Sequence, residues 1–261
     1  GRASDPEYAE QMIRSRGHRG PDDASLLLDG EVVLGHRRLS IIDVANGQQP
    51  MSTADERLWI TFNGEIFNYP ELREDLAARG HRFSNHSDTE VLLHLYRERG
   101  QGMVQALRGM FAFAIWDERE RELFLARDPL GIKPLYYADD GATCRLASQV
   151  GALIEGEAVD TAEDPAGIAG FYLFGCVPEP YTGYRSIREL PAGTTMRVRR
   201  DGSCVPKTYF SVTDEFRAAE AASAPVSPGE VDERLRATPR DSMRYHMVAD
   251  VPVGIFLSSG V

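Results

Sequence analysis

Apolar positions recur at helical spacing in residues 6–16, where Tyr8, Met12 and Ile13 share one side, and Gly17 supplies a stop. The pattern then changes to strands. Leu26-Leu27-Leu28 and Val32-Val33-Leu34 flank Asp29-Gly30-Glu31, which predicts a hairpin because Asp and Gly accept the positive φ that tight turns need. Residues 58–62 predict another strand, and Asn63-Gly64 before Ile66-Phe67 predicts a second tight turn. Helices follow at about 70–79, stopped by Gly80, and from the capping-box pattern Ser87-Asp88-Thr89-Glu90 to Gly100, with Val91, Leu92 and Leu95 facing inward. A short helix at 103–107 precedes strands at 111–116, 123–126, 135–138 and 145–147. Strands, then helices, then strands predict a layered α+β domain with helices packed on the faces of antiparallel sheets.

Beyond Ala147 the texture differs. A helix at 165–174, a Pro/Gly-rich passage at 176–184 and a strand at 194–199 read as a connector and the edge of a second domain. Residues 218–228 are small, polar and proline-containing, which predicts a flexible stretch. A helix at 229–246 carries Pro239, which removes a hydrogen bond and is expected to kink or interrupt it. Residues 253–257 predict a buried strand running into Ser258-Ser259-Gly260.

Of the 261 residues, 42% are hydrophobic, enough for a substantial core, and the net charge of -11 disfavours a phosphate backbone as partner. No basic patch interleaved with aromatics offsets that charge, so nucleic acid is not expected. No apolar run reaches the roughly 20 residues that span a bilayer, and Gly1-Arg2-Ala3-Ser4-Asp5 lacks a signal-peptide pattern. A cytoplasmic protein with no membrane partner is expected. Cys144, Cys176 and Cys204 are odd in number and far apart in sequence, which argues against a disulfide framework and a C-x-x-C site. A start at Gly1 and a stop inside a Gly/Ser turn suggest a fragment.

Among candidate chemical groups, Asn63 beside Gly64 offers a side-chain amide and a main-chain N–H that can converge on one oxyanion, although the same dipeptide serves as an ordinary turn. Arg38 can present a planar fork to a carboxylate and Asp88 can hold an ammonium, together gripping both ends of an amino acid. Each has a plainer role, Arg38 as a solvated strand charge and Asp88 as an acid at a helix N-terminus. Arg19-Gly20-Pro21-Asp22 and Arg127-Asp128-Pro129-Leu130-Gly131 read as turns braced by Arg and Asp pairing. The six histidines show no metal-ligand spacing, no G-x-S-x-G elbow is present, and no cysteine lies beside charges that would form a thiolate.

Several of these runs, in order along the chain, resemble glutamine-hydrolysing asparagine synthetase and its relatives. They are Arg19-Gly20-Pro21-Asp22, residues 36–43 with Gln49-Pro50-Met51, Asn63-Gly64-Glu65-Ile66-Phe67-Asn68, Ser87-Asp88-Thr89-Glu90, residues 109–114, residues 127–134 and Asp250-Val251-Pro252-Val253-Gly254. The resemblance spans essentially the whole chain. It implies a four-layer αββα sandwich of the N-terminal-nucleophile type over residues 1–150, a connector over 151–224, and over 225–261 the start of an α/β ATP-pyrophosphatase domain.

The resemblance also assigns roles. Arg38, Leu39, Ser40, Ile41 and Ile42, with Asn63, Gly64, Glu65 and Asp88, would bind glutamine, and Asn63 and Gly64 would form the oxyanion hole. A cysteine at the mature N-terminus would attack the glutamine amide; it is absent from this sequence, whose Gly1 is expected to stand several residues downstream of it. Leu257, Ser258, Ser259 and Gly260 would bind ATP, with Ser259 in place of the family's usual first glycine; Mg2+ ligands would lie beyond Val261. Ammonia from glutamine would amidate aspartate with formation of AMP and pyrophosphate. The acceptor would alternatively be another carboxylate in polysaccharide or secondary-metabolite synthesis, or the fold would be an inactive scaffold. A homodimer is compatible with the family, and the fragment by itself is expected to be inactive.

Overall fold

Alternation along Leu58–Ile66 (β4) organises the centre of the molecule: Leu58, Ile60, Phe62 and Ile66 enter one core, while Trp59 packs against a second on the opposite face. The computed structural model describes residues 6–14, 17, 20–156, 158–200, 202, 204–222 and 226–254. β4 pairs along its whole length with Gly109–Asp117 (β5), from Leu58 opposite Asp117 to Ile66 opposite Gly109. Glu122–Arg127 (β6), Thr194–Arg199 (β10) and Cys204–Thr208 (β11) extend the sheet on one side and Met51–Ser52 (β3) on the other.

This ladder corrects the predicted turn at Asn63-Gly64. The two residues lie inside β4, opposite Ala112 and Phe111, because β5 offers an unbroken partner for the whole strand. Gly64 is required there for space: with φ 155, a Cβ at this position would sit 2.1 Å from the Met110 carbonyl oxygen. Thr194–Arg199, read from sequence as the edge of a second domain, instead lies between β6 and β11 in this same sheet.

Three cores stack the layers. On one face of the six-stranded sheet, Phe62, Phe111, Phe113 and Phe124 meet Leu72 and Leu76 of helix Tyr69–Ala78 (α2) and Val91, Leu92 and Leu95 of helix Asp88–Arg99 (α3). On the other face, Ala112, Ala114, Trp116, Leu125 and Met196 pack against Leu34, Leu135 and Leu190. That second layer consists of the hairpin Asp23–Asp29 (β1) and Val32–Arg38 (β2), which turns at Gly30 as predicted, and of Cys144–Ala147 (β8), Tyr136–Asp139 (β7) and Ile187–Glu189 (β9). Behind it, Ala138, Leu153 and Ile187 meet Met12 of helix Pro6–Arg14 (α1) and Val150 and Ile154 of helix Val150–Glu155 (α4). Helix, sheet, sheet and helix follow in turn, the four-layer α+β sandwich expected.

Helix Pro165–Phe174 (α5) has its expected bounds. Other local expectations change. Ser87 caps α3 by accepting from Glu90 N at 3.2 Å, but the Glu90 carboxylate passes the cap and accepts from Ser84 N and Asn85 N at 2.8 and 2.9 Å. The capping box is therefore half formed. Helix Val212–Ala221 (α6) occupies the first part of the stretch expected to be flexible, because Ser211 caps it and its alanines favour helix.

Helix Pro228–His246 (α7) runs through Pro239 without interruption. A full Ser227–Glu230 capping box starts it, and the carbonyl that Pro239 deprives of an N–H belongs to exposed Leu235, where water can serve it. Val253 and Gly254 are exposed and outside any strand, unlike the buried strand expected; the rest of that segment lies outside the described residues.

Candidate functional site

Strand alternation puts Asn63 and Glu65 on the β4 face that carries Trp59 and Thr61, the face turned toward β2. Thr61 fixes the approach of β2: its hydroxyl lies 3.1 Å from His36 Nδ1 and donates to the Gly35 carbonyl at 3.3 Å. Burial, reinforced by the Arg38 charge, lowers the His36 pKa to about 4, so the ring is neutral at pH 7. Asn63 is half-buried, and among the described residues its amide makes no hydrogen bond. It can therefore donate to a ligand without breaking an internal contact.

Arg38 ends β2 and is buried, with its guanidinium turned onto the loop that follows. Nη1 donates to the Val44 carbonyl at 3.0 Å, and Nη2 donates to the carbonyls of Ile42 and Asp43 at 3.2 and 2.7 Å. Nε and one Nη1 hydrogen remain for a carboxylate. Gly47 closes the loop; a Cβ there would meet Arg38 Nη2 at 2.4 Å. Leu39 is exposed, Ser40 N donates to Asp22 Oδ2 at 2.8 Å, and Ile42 is buried. Ile41 offers its carbonyl to Asp250 N at 3.1 Å.

Asp43 is the hub of this loop, and its role was not assigned from the sequence. It has φ 44 and is buried. Its carbonyl accepts from Arg38 and from Gly47 N at 2.9 Å, and its carboxylate accepts from Asn46 N at 3.1 Å and from His86 N at 2.7 Å. His86 stands two residues before Asp88. The two groups proposed to grip an amino acid are thus tied through one aspartate. Gln49 adds a second tie, donating to Thr89 Oγ1 at 3.3 Å and accepting from Phe62 N at 2.7 Å. Asp43, Gln49 and Asp250 all lie in the quoted sequence runs, but backbone partners distant in sequence leave no residue-type signal.

Asp88 is buried at the start of α3, where its Oδ2 accepts from Ile66 N at 3.0 Å. Burial raises its pKa to about 7, and the neighbouring Glu65 carboxylate adds to the rise. Burial also raises Glu65, against the pull of Lys133 and His246. Tyr69 is raised by burial first and then by Asp250, Asp88 and Asp43. Carboxylates thus act on one another and on Tyr69 here, with Lys133, His246 and Arg73 opposing them.

The Arg127-Asp128 run braces the sandwich, though Arg127 pairs elsewhere than with Asp128. Buried Arg127 spends all five donors, on the carbonyls of Lys133, Leu190 and Gly131 and on Glu179 and Glu189 at 2.6–2.8 Å. Asp128 accepts four main-chain N–H groups, from Phe111, Leu130, Ile132 and Lys133. Arg19 lies outside the described residues, as do Leu257, Ser258, Ser259 and Gly260. Among the described residues no helix is long and apolar enough to cross a membrane, and no group of three or more His, Cys, Asp or Glu side chains could hold a metal ion.

A family model described as a glutamine amidotransferase domain matches residues 1–210. The chain belongs to that family. It is 42% identical over 259 residues to glutamine-hydrolysing asparagine synthetase 1 of Bacillus subtilis, covering 99% of this chain and 40% of that protein. Glutamine-hydrolysing asparagine synthetase 3 of the same organism is 34% identical over 255 residues, 97% of this chain and 40% of the relative. The chain thus spans about two fifths of the length of these relatives.

Among solved structures, glutamine phosphoribosylpyrophosphate amidotransferase from B. subtilis superposes with a TM-score of 0.60 at 22% identity, over 81% of this chain and 48% of the other. An allosteric regulatory enzyme of purine biosynthesis gives 0.52 at 24% identity, over 71% of this chain and 36% of the other. These likenesses establish the shared amidotransferase fold.

The Cys144 thiol is pushed up by a hydrogen bond with Cys204 and by burial, so it stays neutral, and Cys176 is exposed on the segment after α5.

Proposed function

We propose that the edge of β4, the Arg38–Gly47 loop and the N-terminus of α3 form a glutamine pocket, and that the site hydrolyses glutamine to glutamate and ammonia. The observation that carries this reading is the Asn63 amide, which has no partner among the described residues and stands beside the close-packed Gly64. Arg38 faces the ligand's carboxylate with its remaining donors, and Asp88 takes its ammonium. Leu39, Ser40, Ile41, Ile42 and Glu65 line the pocket with them.

In this mechanism a cysteine thiolate, at the mature N-terminus as the resemblance implies, attacks the side-chain amide carbon. The oxyanion accepts from the Asn63 side chain and Gly64 N–H, the α-amine relays the thiol proton to the leaving nitrogen, and ammonia departs as the thioester forms. Water then cleaves the thioester, returning the thiol and releasing glutamate. Glutamate release from L-glutamine by the full-length protein tests the reading. Turnover that is lost in Asn63→Ala supports it; turnover unaffected by that change contradicts it.

For the whole protein we propose that this ammonia amidates aspartate at the expense of ATP, forming asparagine, AMP and pyrophosphate. Similarity to two glutamine-hydrolysing asparagine synthetases along nearly the whole chain supports that reading. Residues 225–261 would begin the ATP-dependent part. The assignment of ATP to Leu257, Ser258, Ser259 and Gly260, with Mg2+ held by residues beyond Val261, rests on sequence resemblance. Asparagine formation from aspartate, glutamine and ATP is the test; amidation of a different carboxylate would replace aspartate in the scheme.

A further inference from the structure

The glutamine-pocket loop is gripped from far along the chain. Asp250 N donates to the Ile41 carbonyl at 3.1 Å and Asp250 Oδ2 accepts from Asp43 N at 2.7 Å, so one residue holds both ends of a three-residue stretch. Asp250 is exposed, and α7, which precedes it, has no buried residue, so core packing does not explain this docking.

Specific contacts do. The His246 ring lies 4.3 Å from the Phe67 ring, the Tyr245 hydroxyl meets Glu71 Oε1 at 3.3 Å, and Arg108 sits 4.2 Å above the Tyr245 ring while pairing with Asp241 at 2.9 Å. These contacts anchor the end of α7 beside β4 and deliver Asp250 to the loop.

Asp43 needs such help. At φ 44 it occupies a region that non-glycine residues enter only when their surroundings hold them there. In that conformation its carbonyl faces Arg38, its carboxylate faces His86 and its N–H points to Asp250. Releasing the N–H frees the peptide to rotate, and the Arg38 and His86 contacts go with it.

We propose that Asp250 is a positioning residue for glutamine binding: it holds Asp43 in the left-handed conformation that sets Arg38 and the segment before Asp88 at their working separation. This inference rests on the glutaminase reading above. It makes the segment that follows α7 a structural part of the glutamine pocket, although that segment contributes no group that touches the substrate.

The test is glutamine hydrolysis by full-length wild type, Asp250→Ala and Asp250→Asn, with kcat and KM separated and thermal melts recorded. Loss of one charge-assisted hydrogen bond predicts a KM for glutamine raised about three- to tenfold in Asp250→Ala, with kcat within about twofold of wild type. Asp250→Asn keeps an oxygen that accepts the same N–H and is expected to restore most of the lost affinity. An unchanged KM in Asp250→Ala overturns the inference while leaving the glutaminase reading intact. So does an Asp250→Asn variant as impaired as Asp250→Ala, because negative charge rather than positioning would then be at work. Absence of hydrolysis by the wild type overturns both readings.

Discussion

The Asp43 carboxylate accepts the His86 main-chain N–H at 2.7 Å, joining the loop that Arg38 organises to the turn that delivers Asp88. Charge-assisted bonds of this kind contribute more than neutral ones, and Asp43 is buried. Burial raises its pKa, but the bonds from His86 and Asn46 outweigh it and hold the carboxyl below its usual range, so the group is ionised at neutral pH. Asp43→Ala is expected to raise the KM for glutamine at least about tenfold and to lower the melting temperature, because three accepted hydrogen bonds are lost together. Steady-state kinetics and a thermal melt check both effects.

Asn63 and Gly64 are adjacent but are expected to fail differently when changed. Asn63→Ala removes an amide that bonds no described group, so stability stays within about 0.5 kcal/mol while kcat for glutamine hydrolysis falls about 10²–10³-fold. Gly64→Ala drives a methyl group to 2.1 Å from the Met110 carbonyl oxygen and parts β4 from β5, at a cost of about 3 kcal/mol. Urea titration separates the two variants before any assay is run.

The raised pKa of Asp88 has two consequences. Its value of about 7, against an ordinary 3.8, means that the folded chain holds this proton more tightly than the unfolded one. Its contribution to stability is therefore full below about pH 4 and is lost as the pH rises through 7. Asp88→Asn is expected to remove that slope, so the gap between variant and wild-type melting temperatures shifts in the variant's favour from pH 4 to pH 7. In the proposed pocket the ligand's ammonium pairs with the ionised form, so KM for glutamine in the wild type is expected to rise as the pH falls below 7. Melts and KM values taken across that range read out both.

Arg127 braces five partners at once. Its removal strands Glu179, Glu189 and three carbonyls, two of which belong to the 128–134 turn. Arg127→Met is expected to cost about 3–5 kcal/mol, the range for breaking one partner out of a buried ion pair. The denaturant midpoint should fall accordingly, and Arg127→Lys should recover only part of the loss because a lysine cannot reproduce the planar fork.

Much of this was legible in the sequence where a residue type and its neighbours decide the outcome. The strands at 58–62 and 111–116, the Asp29-Gly30 turn, the Ser87 cap and the stop at Gly100 all depend on contacts within a few residues, and they stand as read. The Asn63-Gly64 turn failed because a full-length partner strand overrides a dipeptide preference. Pro239 failed because an exposed helix tolerates one lost hydrogen bond. For the candidate site, residue types pointed to Arg38, Asn63 and Asp88, but Asp43 and Asp250 make their contacts with main-chain groups, which have no signature in side-chain chemistry. The full use of Arg127's donors was likewise invisible, since three of its five partners are carbonyls.

The most direct test of the central claim is covalent trapping with an electrophilic glutamine analogue, such as a diazoketone, followed by peptide mass spectrometry of the full-length protein. The account predicts one adduct, on a cysteine at the mature N-terminus, formed in competition with L-glutamine and slowed in Asp88→Asn. No adduct, or one on Cys144, Cys176 or Cys204, would contradict it.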